Sequence, residues 1–157
     1  MFANRTIISL SALVLLAACG GGGDATTVPQ AQPAEETYAD IGDHIVHFSA
    51  QSTDQLPPDI ARAYNIVRSK NRAMLNVSVL EEGTNTPVTA IVTVKTQNLT
   101  GQLKNVTMRE IREQEAIYYI GETPVANRET LIFDIGITPD GKTSPSNVRF
   151  KRQFYTD

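Results

Sequence analysis

From Tyr38 onward, apolar and polar residues alternate in short runs that are separated by turn-forming residues. The run at residues 73–81 is the clearest, because Leu75, Val77 and Val79 alternate with polar residues. A period of two places successive side chains on opposite faces of a strand and is typical of a half-buried sheet. The pattern therefore favours a fold of short antiparallel strands over a helical fold.

Seven runs have this period, and each predicts a strand: residues 44–50, 73–81, 88–96, 103–112, 116–121, 130–138 and 146–155. The turn at residues 82–87 predicts that the second and third strands form a hairpin. This spacing is typical of an all-β, seven-stranded immunoglobulin-like sandwich, with a small barrel as the alternative. Residues 56–64 break the pattern, and the two prolines near their start predict one short helix over an end of the sandwich.

The first part of the chain has the features of a lipoprotein signal peptide. Arg5 is followed by an apolar segment at residues 7–16 and by small residues before Cys19, the only cysteine. The apolar segment is well short of the roughly 20 residues that a membrane-spanning helix needs. We expect cleavage before Cys19 and attachment of acyl chains such as palmitate, which together hold a protein stably on a membrane. Because Gly20 rather than aspartate follows the cysteine, we expect the periplasmic face of the outer membrane.

The sequence therefore divides into a lipoprotein signal peptide at residues 1–18, a lipidated cysteine with a disordered tether at residues 19–37, and a β-sandwich domain at residues 38–157. The tether is polar and rich in glycine and proline, so it buries too little apolar surface to offset the entropy of ordering. The chain has 17 acidic and 14 basic residues, and this negative excess argues against a nucleic-acid partner. With no cysteine beyond the lipidated one, the domain has no intrachain disulfide.

Basic residues alternate in the segment that leads into the second predicted strand. Arg68, Lys70 and Arg72 lie there, close in sequence to Tyr64 at the end of the predicted helix. We expect these four residues to form a binding surface for another envelope component or for the headgroups of the membrane. The alternative is a solvated loop whose charges protect the edge of the next strand.

His44 and His47 are the only histidines and raise the possibility of a periplasmic copper or zinc protein, with Met74 and Met108 as further ligands. A spacing of three on a strand places the two imidazoles on opposite faces, so both cannot hold one ion without a bulge. We therefore expect no metal and no cofactor, and we keep metal binding as the alternative function.

Several segments of the domain resemble the bacterial envelope family known as domain of unknown function 4426. The resemblance rests on HFSA at 47–50, LPP at 56–58, RSKNR at 68–72, NLTG at 98–101, REIRE at 109–113 and IYYI at 117–120. It implies an exported, β-rich domain and supplies no catalytic residue. Since the sequence also shows no recognisable nucleophile and base, we expect a membrane-anchored, non-enzymatic binding or accessory protein.

Overall fold

The computed structural model describes residues 37–157, and the predicted signal peptide, Cys19 and nearly all of the predicted tether lie outside this range. The described residues form nine strands: β1 Tyr38–Asp40, β2 His44–Ser52, β3 Arg72–Glu81, β4 Ala90–Asn98, β5 Leu103–Lys104, β6 Arg109–Glu113, β7 Ala116–Pro124, β8 Glu129–Pro139 and β9 Ser146–Phe154. A 3-10 turn at Thr53–Gln55 precedes the helix α1, Pro58–Ala63. Within residues 37–157, no helix has the length and apolar character needed to cross a membrane.

The strands form two antiparallel sheets. The five-stranded sheet has the order β1-β2-β3-β7-β6, and the four-stranded sheet has the order β5-β4-β8-β9. The predicted two-sheet sandwich with one short helix is confirmed, with nine strands instead of seven. The two additional strands are the edge strand β1 and one half of a predicted strand that the structure divides between the sheets.

The main hydrophobic core lies between the two sheets. Alternate residues of the long central strands point into it, and many are completely buried, among them Val46, Val77, Val79, Leu131, Ile135 and Ile137. Phe133 stacks on Phe150 with 5.9 Å between ring centroids, and Phe48 lies 5.2 Å from Phe150 on the other side. These aromatic contacts connect strands of both sheets and hold the layers face to face.

A second, smaller cluster lies outside the sandwich, where α1 packs on the outer face of the five-stranded sheet. Its buried members are Leu56, Ala61 and Ile66 from the helical segment and Met74 and Ile120 from the sheet. Proline at the start of α1 is well tolerated because its missing N–H would have no helical partner. A helix of six residues is not stable alone, so these contacts are what hold it in place.

The predicted hairpin between residues 73–81 and 88–96 is wrong, because β3 and β4 belong to different sheets. After the turn the chain makes one isolated bridge, Leu80 to Pro87, and Val88 N–H donates to Val79 O at 2.8 Å. Further along the same edge β7 already pairs with residues 72–77 of β3, and β2 pairs along the other edge. The chain can therefore continue only by crossing to the second sheet.

The predicted strand at residues 103–112 is divided in the same way. β5 pairs in the four-stranded sheet and β6 in the five-stranded sheet, while residues 105–108 cross between them. The crossing passes over Gly121 of β7, where a Cβ atom would lie 2.5 Å from Val106 Cγ1 and 2.7 Å from Met108 Sδ. Glycine at this position leaves the room that the crossing requires.

A buried tyrosine joins the two sheets by hydrogen bonds. The N–H of Ala90 in β4 donates to Tyr119 Oη of β7 at 2.7 Å, and the hydroxyl donates to Glu110 Oε2 of β6 at 3.2 Å. Burial, together with the Glu110 carboxylate, raises the pKa of Tyr119. The phenol therefore stays protonated at neutral pH and serves as acceptor and donor at once.

Candidate binding groove

A groove with a volume of about 260 Å³ lies beside α1 on the outer face of the five-stranded sheet. We call it the outer groove. Cross-strand pairing places its sheet residues in two rows, since Ser49 pairs with Asn76, which pairs with Ile120, and Gln51 pairs with Met74. The helical cluster covers only part of this face, and the groove is the concave surface that remains next to it.

The outer groove combines apolar and polar surfaces. Leu56, Met74 and Ile120 are buried apolar residues of the helical cluster that also line the groove. Among its polar residues, Asn76 has a buried Oδ1 atom that receives no hydrogen bond from residues 37–157. An unsatisfied buried acceptor destabilises the folded state, so a bound group that donated to it would remove that cost.

Two tyrosines and a carboxylate complete the lining. Burial and the neighbouring Glu113 carboxylate raise the pKa of Tyr64 to about 12. Its hydroxyl is therefore a permanent hydrogen-bond donor at neutral pH. Tyr118 lies on the same outer face and packs against the helical cluster. Tyrosines of this kind offer a large, rigid apolar surface with a polar tip, which is the chemistry of protein recognition sites.

Backbone and ion-pair contacts hold Tyr64 in place. The Arg109 guanidinium of β6 donates to the carbonyl oxygen of Tyr64. Arg109 also lies 3.8 Å from Glu122 Oε1, and Arg72 lies 3.5 Å from the other oxygen of the same carboxylate. The end of α1 is thus tied to the edge of the sheet through charged groups as well as through packing.

Of the four residues predicted as a binding surface, only Tyr64 lines the outer groove. Arg68 Nη2 donates to Asp54 O at 2.6 Å, and Lys70 Nζ donates to Asp157 O at 3.2 Å. Arg72 instead faces the outer side of the sheet, where it pairs with Glu122. The three basic residues therefore do not converge on one acceptor, although Arg68 and Lys70 are both exposed at the same end of the sandwich.

Sequence reasoning missed the polar residues of the outer groove, which are Ser49, Gln51, Asn76, Glu113 and Tyr118. The period of two does place the first three on the outward faces of their strands. An outward polar residue, however, is ordinarily solvated. Only the pairing of β2, β3 and β7, which alternation does not specify, brings them together in the groove beside the helix.

The two histidines are separated as their spacing predicts. His44 is buried at the start of β2, with Nδ1 2.7 Å from Asp43 Oδ1, whereas His47 is exposed and lies near Tyr38 on the outer face. One ion cannot reach both imidazoles from opposite faces of a strand. Among residues 37–157, no three His, Cys, Asp or Glu side chains are grouped so that they could hold a metal ion.

The other end of the sandwich has a wider depression of about 680 Å³. It lies between the β3–β4 turn, with Thr84 and Asn85, and the β6–β7 turn, with Gln114 and Glu115. These four residues are exposed, and none of them contributes an unsatisfied buried polar atom. The outer groove is therefore the better candidate for a binding site.

The fold and the groove define a class of protein, an antiparallel β-sandwich with a short helix that builds a recess on one outer face. The chain belongs to the family described as domain of unknown function DUF4426, whose model matches residues 38–157. This confirms the resemblance found in the sequence. The chain is also similar to a DUF4426 family protein from Pseudomonas aeruginosa in a crystal structure, with 32% identity and a TM-score of 0.67. The match covers 76% of this chain and 94% of that chain. The search of curated proteins gave no match.

Proposed function

We propose that this protein is an envelope lipoprotein, anchored through Cys19, whose sandwich domain is a non-enzymatic binding module for another envelope protein. The signal sequence that ends at Cys19 supports the anchor. The outer groove carries the binding function, because it brings an apolar floor, two tyrosines and an unsatisfied buried acceptor into one recess. The periplasmic face of the outer membrane is the location that we assign to it.

The size of the outer groove favours a protein partner over a small molecule. Its volume of about 260 Å³ is below the range of about 300–1,000 Å³ that is typical of small-molecule pockets. It fits a single anchoring side chain of a partner, of the kind that dominates the energetics of protein interfaces. Tyr64 and Tyr118 supply the rigid aromatic surface around it.

The groove residues suggest what that side chain is. Leu56, Met74 and Ile120 favour an apolar body, and burial of that body supplies the affinity. The Asn76 acceptor and the Glu113 carboxylate favour a hydrogen-bond donor at its tip, and these polar contacts fix its orientation. A tyrosine, tryptophan or arginine of the partner has this combination.

The anchor is tested by labelling cells with radioactive palmitate. We expect the wild-type chain to incorporate label and the Cys19→Ser chain to incorporate none. Equal labelling of the two chains would remove the anchor from the proposal. The Cys19→Ser chain would still contain the whole β-sandwich domain, so the binding function remains testable in it.

The binding function is tested by photo-crosslinking in whole cells. A crosslinking amino acid at Tyr118, in the groove, is compared with one at Lys95, which is exposed on β4 of the other sheet. We expect one discrete adduct with an envelope protein from position 118, absent from position 95 and weakened by Met74→Lys. Identical adducts from both positions would contradict the groove as the contact. Substrate turnover that Met74→Lys abolishes would contradict a non-enzymatic role.

A further inference from the structure

The end of the sandwich next to α1 displays an unusual amount of apolar surface. We call it the helix end, and it comprises residues 53–72, 98–108, 124–129 and 154–157. Six large apolar side chains are exposed among residues 37–157, and four of them lie here: Val67, Leu99, Leu103 and Tyr155, at 68, 69, 75 and 60% exposure. Scattered single residues of this kind are ordinary, but the concentration of four at one end of a small domain marks that end as a candidate contact surface.

Hydrogen bonds join the segments that carry these side chains to one another. Lys70, three residues after Val67, donates to Asp157 O at 3.2 Å, and Thr156 N–H donates to Asn127 Oδ1 at 3.1 Å. The loop that carries Val67 is therefore joined to the terminal segment that carries Tyr155. The same terminal segment is joined to the loop between β7 and β8.

The turn at residues 98–104, which carries Leu99 and Leu103 and which we call the leucine turn, is joined to Glu129, the residue that follows this loop. Asn98 Nδ2 donates to Glu129 Oε1 at 2.9 Å, and Lys104 Nζ lies 2.8 Å from that oxygen. Leu99 and Leu103 are the neighbours of these two anchoring residues. All four exposed apolar side chains are thus presented by loops that are bonded to one another.

The leucine turn is rigid. Asn98 Oδ1 accepts hydrogen bonds from Thr100 N–H at 3.1 Å and from Gln102 N–H at 2.9 Å, and Gly101 has a φ of +83°. A flexible loop could fold its leucines back onto the protein, whereas this turn holds Leu99 in solvent. An exposed apolar side chain held in this way is available for contact with an apolar surface.

Charge also distinguishes the two ends of the sandwich. At the helix end, six basic residues outnumber four acidic ones: Arg62, Arg68, Lys70, Arg72, Lys104 and Arg128 against Asp54, Asp59, Glu129 and Asp157. At the opposite end, residues 40–44, 81–90, 113–116 and 139–146, seven acidic residues stand against one lysine: Asp40, Asp43, Glu81, Glu82, Glu113, Glu115 and Asp140 against Lys142. The two ends of the domain therefore carry net charges of opposite sign. A negatively charged surface would attract the helix end and repel the opposite end, and so would orient the domain.

We propose that the helix end docks on an anionic phospholipid bilayer, with Leu99 and Leu103 in the interfacial region. Exposed apolar side chains and an excess of basic over acidic residues at the same end are the two attractive elements of peripheral membrane binding. The acidic end is repelled by the same surface and points away from it. The docking surface does not contain Cys19, and Leu99, Leu103, Arg68 and Lys70 do not line the outer groove, so docking can be tested separately from the anchor and the partner site.

The chain has no tryptophan, so a single introduced tryptophan reports on its own surroundings. Leu99→Trp is the reporter at the helix end, and Ile91→Trp is its matched control, because both native side chains are 69% exposed and Ile91 lies beside the acidic end. Each is placed in the Cys19→Ser chain of residues 19–157, which retains both hydrophobic clusters. Vesicles of brominated phosphatidylglycerol quench a tryptophan that enters the bilayer.

We expect phosphatidylglycerol vesicles to quench Leu99→Trp and to shift its emission to the blue, and to leave Ile91→Trp unchanged. Equal quenching of both reporters, or quenching of neither, would overturn the proposal. Because the test uses the Cys19→Ser chain, a negative result here is separate from the outcome of palmitate labelling.

A charge variant tests the second element of the docking surface. Arg68→Glu with Lys70→Glu should weaken vesicle binding of the Leu99→Trp chain about tenfold or more, since each basic residue near an anionic surface contributes substantially. Lys95→Glu, a single charge reversal at an exposed position of β4, is the control for position and should have little effect. Equal loss of vesicle binding in both charge variants would contradict docking through the basic helix end. Binding to uncharged phosphatidylcholine vesicles that is as tight as binding to phosphatidylglycerol vesicles would contradict it as well.

Discussion

The two hydrophobic clusters of this domain are built from similar residues but differ in what surrounds them. The cluster between the sheets is closed on both sides, and its central side chains, such as Phe133 and Leu75, are at most 1% exposed. The cluster under α1 is covered on one side only, and its partners Tyr64, Ile111 and Tyr118 remain half-buried. The first cluster stabilises the sandwich, and the second one forms part of the surface around the outer groove.

This difference implies that stability and binding can be changed separately. The interior cluster takes its residues from strands of both sheets, so its loss affects every strand. The helical cluster takes its residues from α1, its flanks and one face of one sheet. A change there should disturb the outer groove and leave the sandwich folded.

The largest effect should follow from opening the interior cluster. Phe133→Ala removes a ring that is 1% exposed and stacked on Phe150, and we expect a loss of about 3 to 5 kcal/mol in the free energy of unfolding. Urea denaturation followed by circular dichroism measures it. Ile91→Ala, at an exposed position, should change the value by less than about 0.5 kcal/mol. A loss at position 133 as small as that at position 91 would contradict the assignment of the core.

A smaller and local effect should follow from opening the helical cluster. Leu56→Ala should cost about 2 to 3 kcal/mol in unfolding free energy, because the half-covered site can relax around the missing side chain. Hydrogen exchange of the α1 amides should accelerate while the amides of β3 and β8 stay protected. Leu99→Ala is the control with an exposed leucine. Equal acceleration in all three elements would show that the two clusters are not separable.

The polar contacts at the helix end should contribute less than either cluster. Burial alone would raise the pKa of Glu129, but hydrogen bonds from Lys104, Ala126 N–H and Asn98 outweigh it and hold the pKa below the ordinary 4.5. A lowered pKa gives stability that is present above pH 4.5 and is lost as the pH falls through the folded value.

Glu129→Gln should therefore lower the unfolding free energy at pH 7 by about 2 kcal/mol, because it removes charge-assisted hydrogen bonds. The difference from wild type should shrink as the pH falls through the folded-state pKa of Glu129, because the native carboxyl then becomes protonated as well. Urea denaturation over a series of pH values from 7 downwards provides the measurement, with exposed Glu115→Gln as the control. A difference that stays constant with pH would contradict the role of the ionised carboxylate.

The smallest effect should come from the hydrogen bond that joins the sheets. Tyr119→Phe keeps the ring in the interior cluster but leaves the Ala90 N–H without its acceptor, and should cost about 1 kcal/mol. Tyr155→Phe, at an exposed position, should be neutral. A cost equal to that of Phe133→Ala would mean that polar contacts, rather than packing, dominate the interior.

Strands were predictable wherever alternation runs without interruption. The prediction at residues 130–138 matches β8 to within one residue at each end, and that at 146–155 differs from β9 only at its last residue. Pairing was less predictable, because it depends on which edges are already occupied. β2 and β7 lie on either side of β3 in the sheet, so β4 cannot pair beside it, although the local turn predicts a hairpin.

The candidate site was predictable only in part. Tyr64 could be selected because it ends a helix that must pack on something. Asn76 could not, since it is one outward polar residue among several on β3, and only the folded structure shows that its Oδ1 atom is buried without a hydrogen-bond donor. Apolar periodicity identifies the faces of single strands, but it does not say which outward face is later covered.

The crossing at residues 105–108 is a short covalent connection between the two sheets along one side of the sandwich. The short strands on either side of it are hydrogen-bonded into different layers, so neither β5 nor β6 can peel away without pulling on the other. The opposite side, where β1 and β9 are the outermost strands, has no such link among the described residues. Mechanical or thermal separation of the two sheets should therefore start at the side formed by β1 and β9. The side formed by β5 and β6 should separate last.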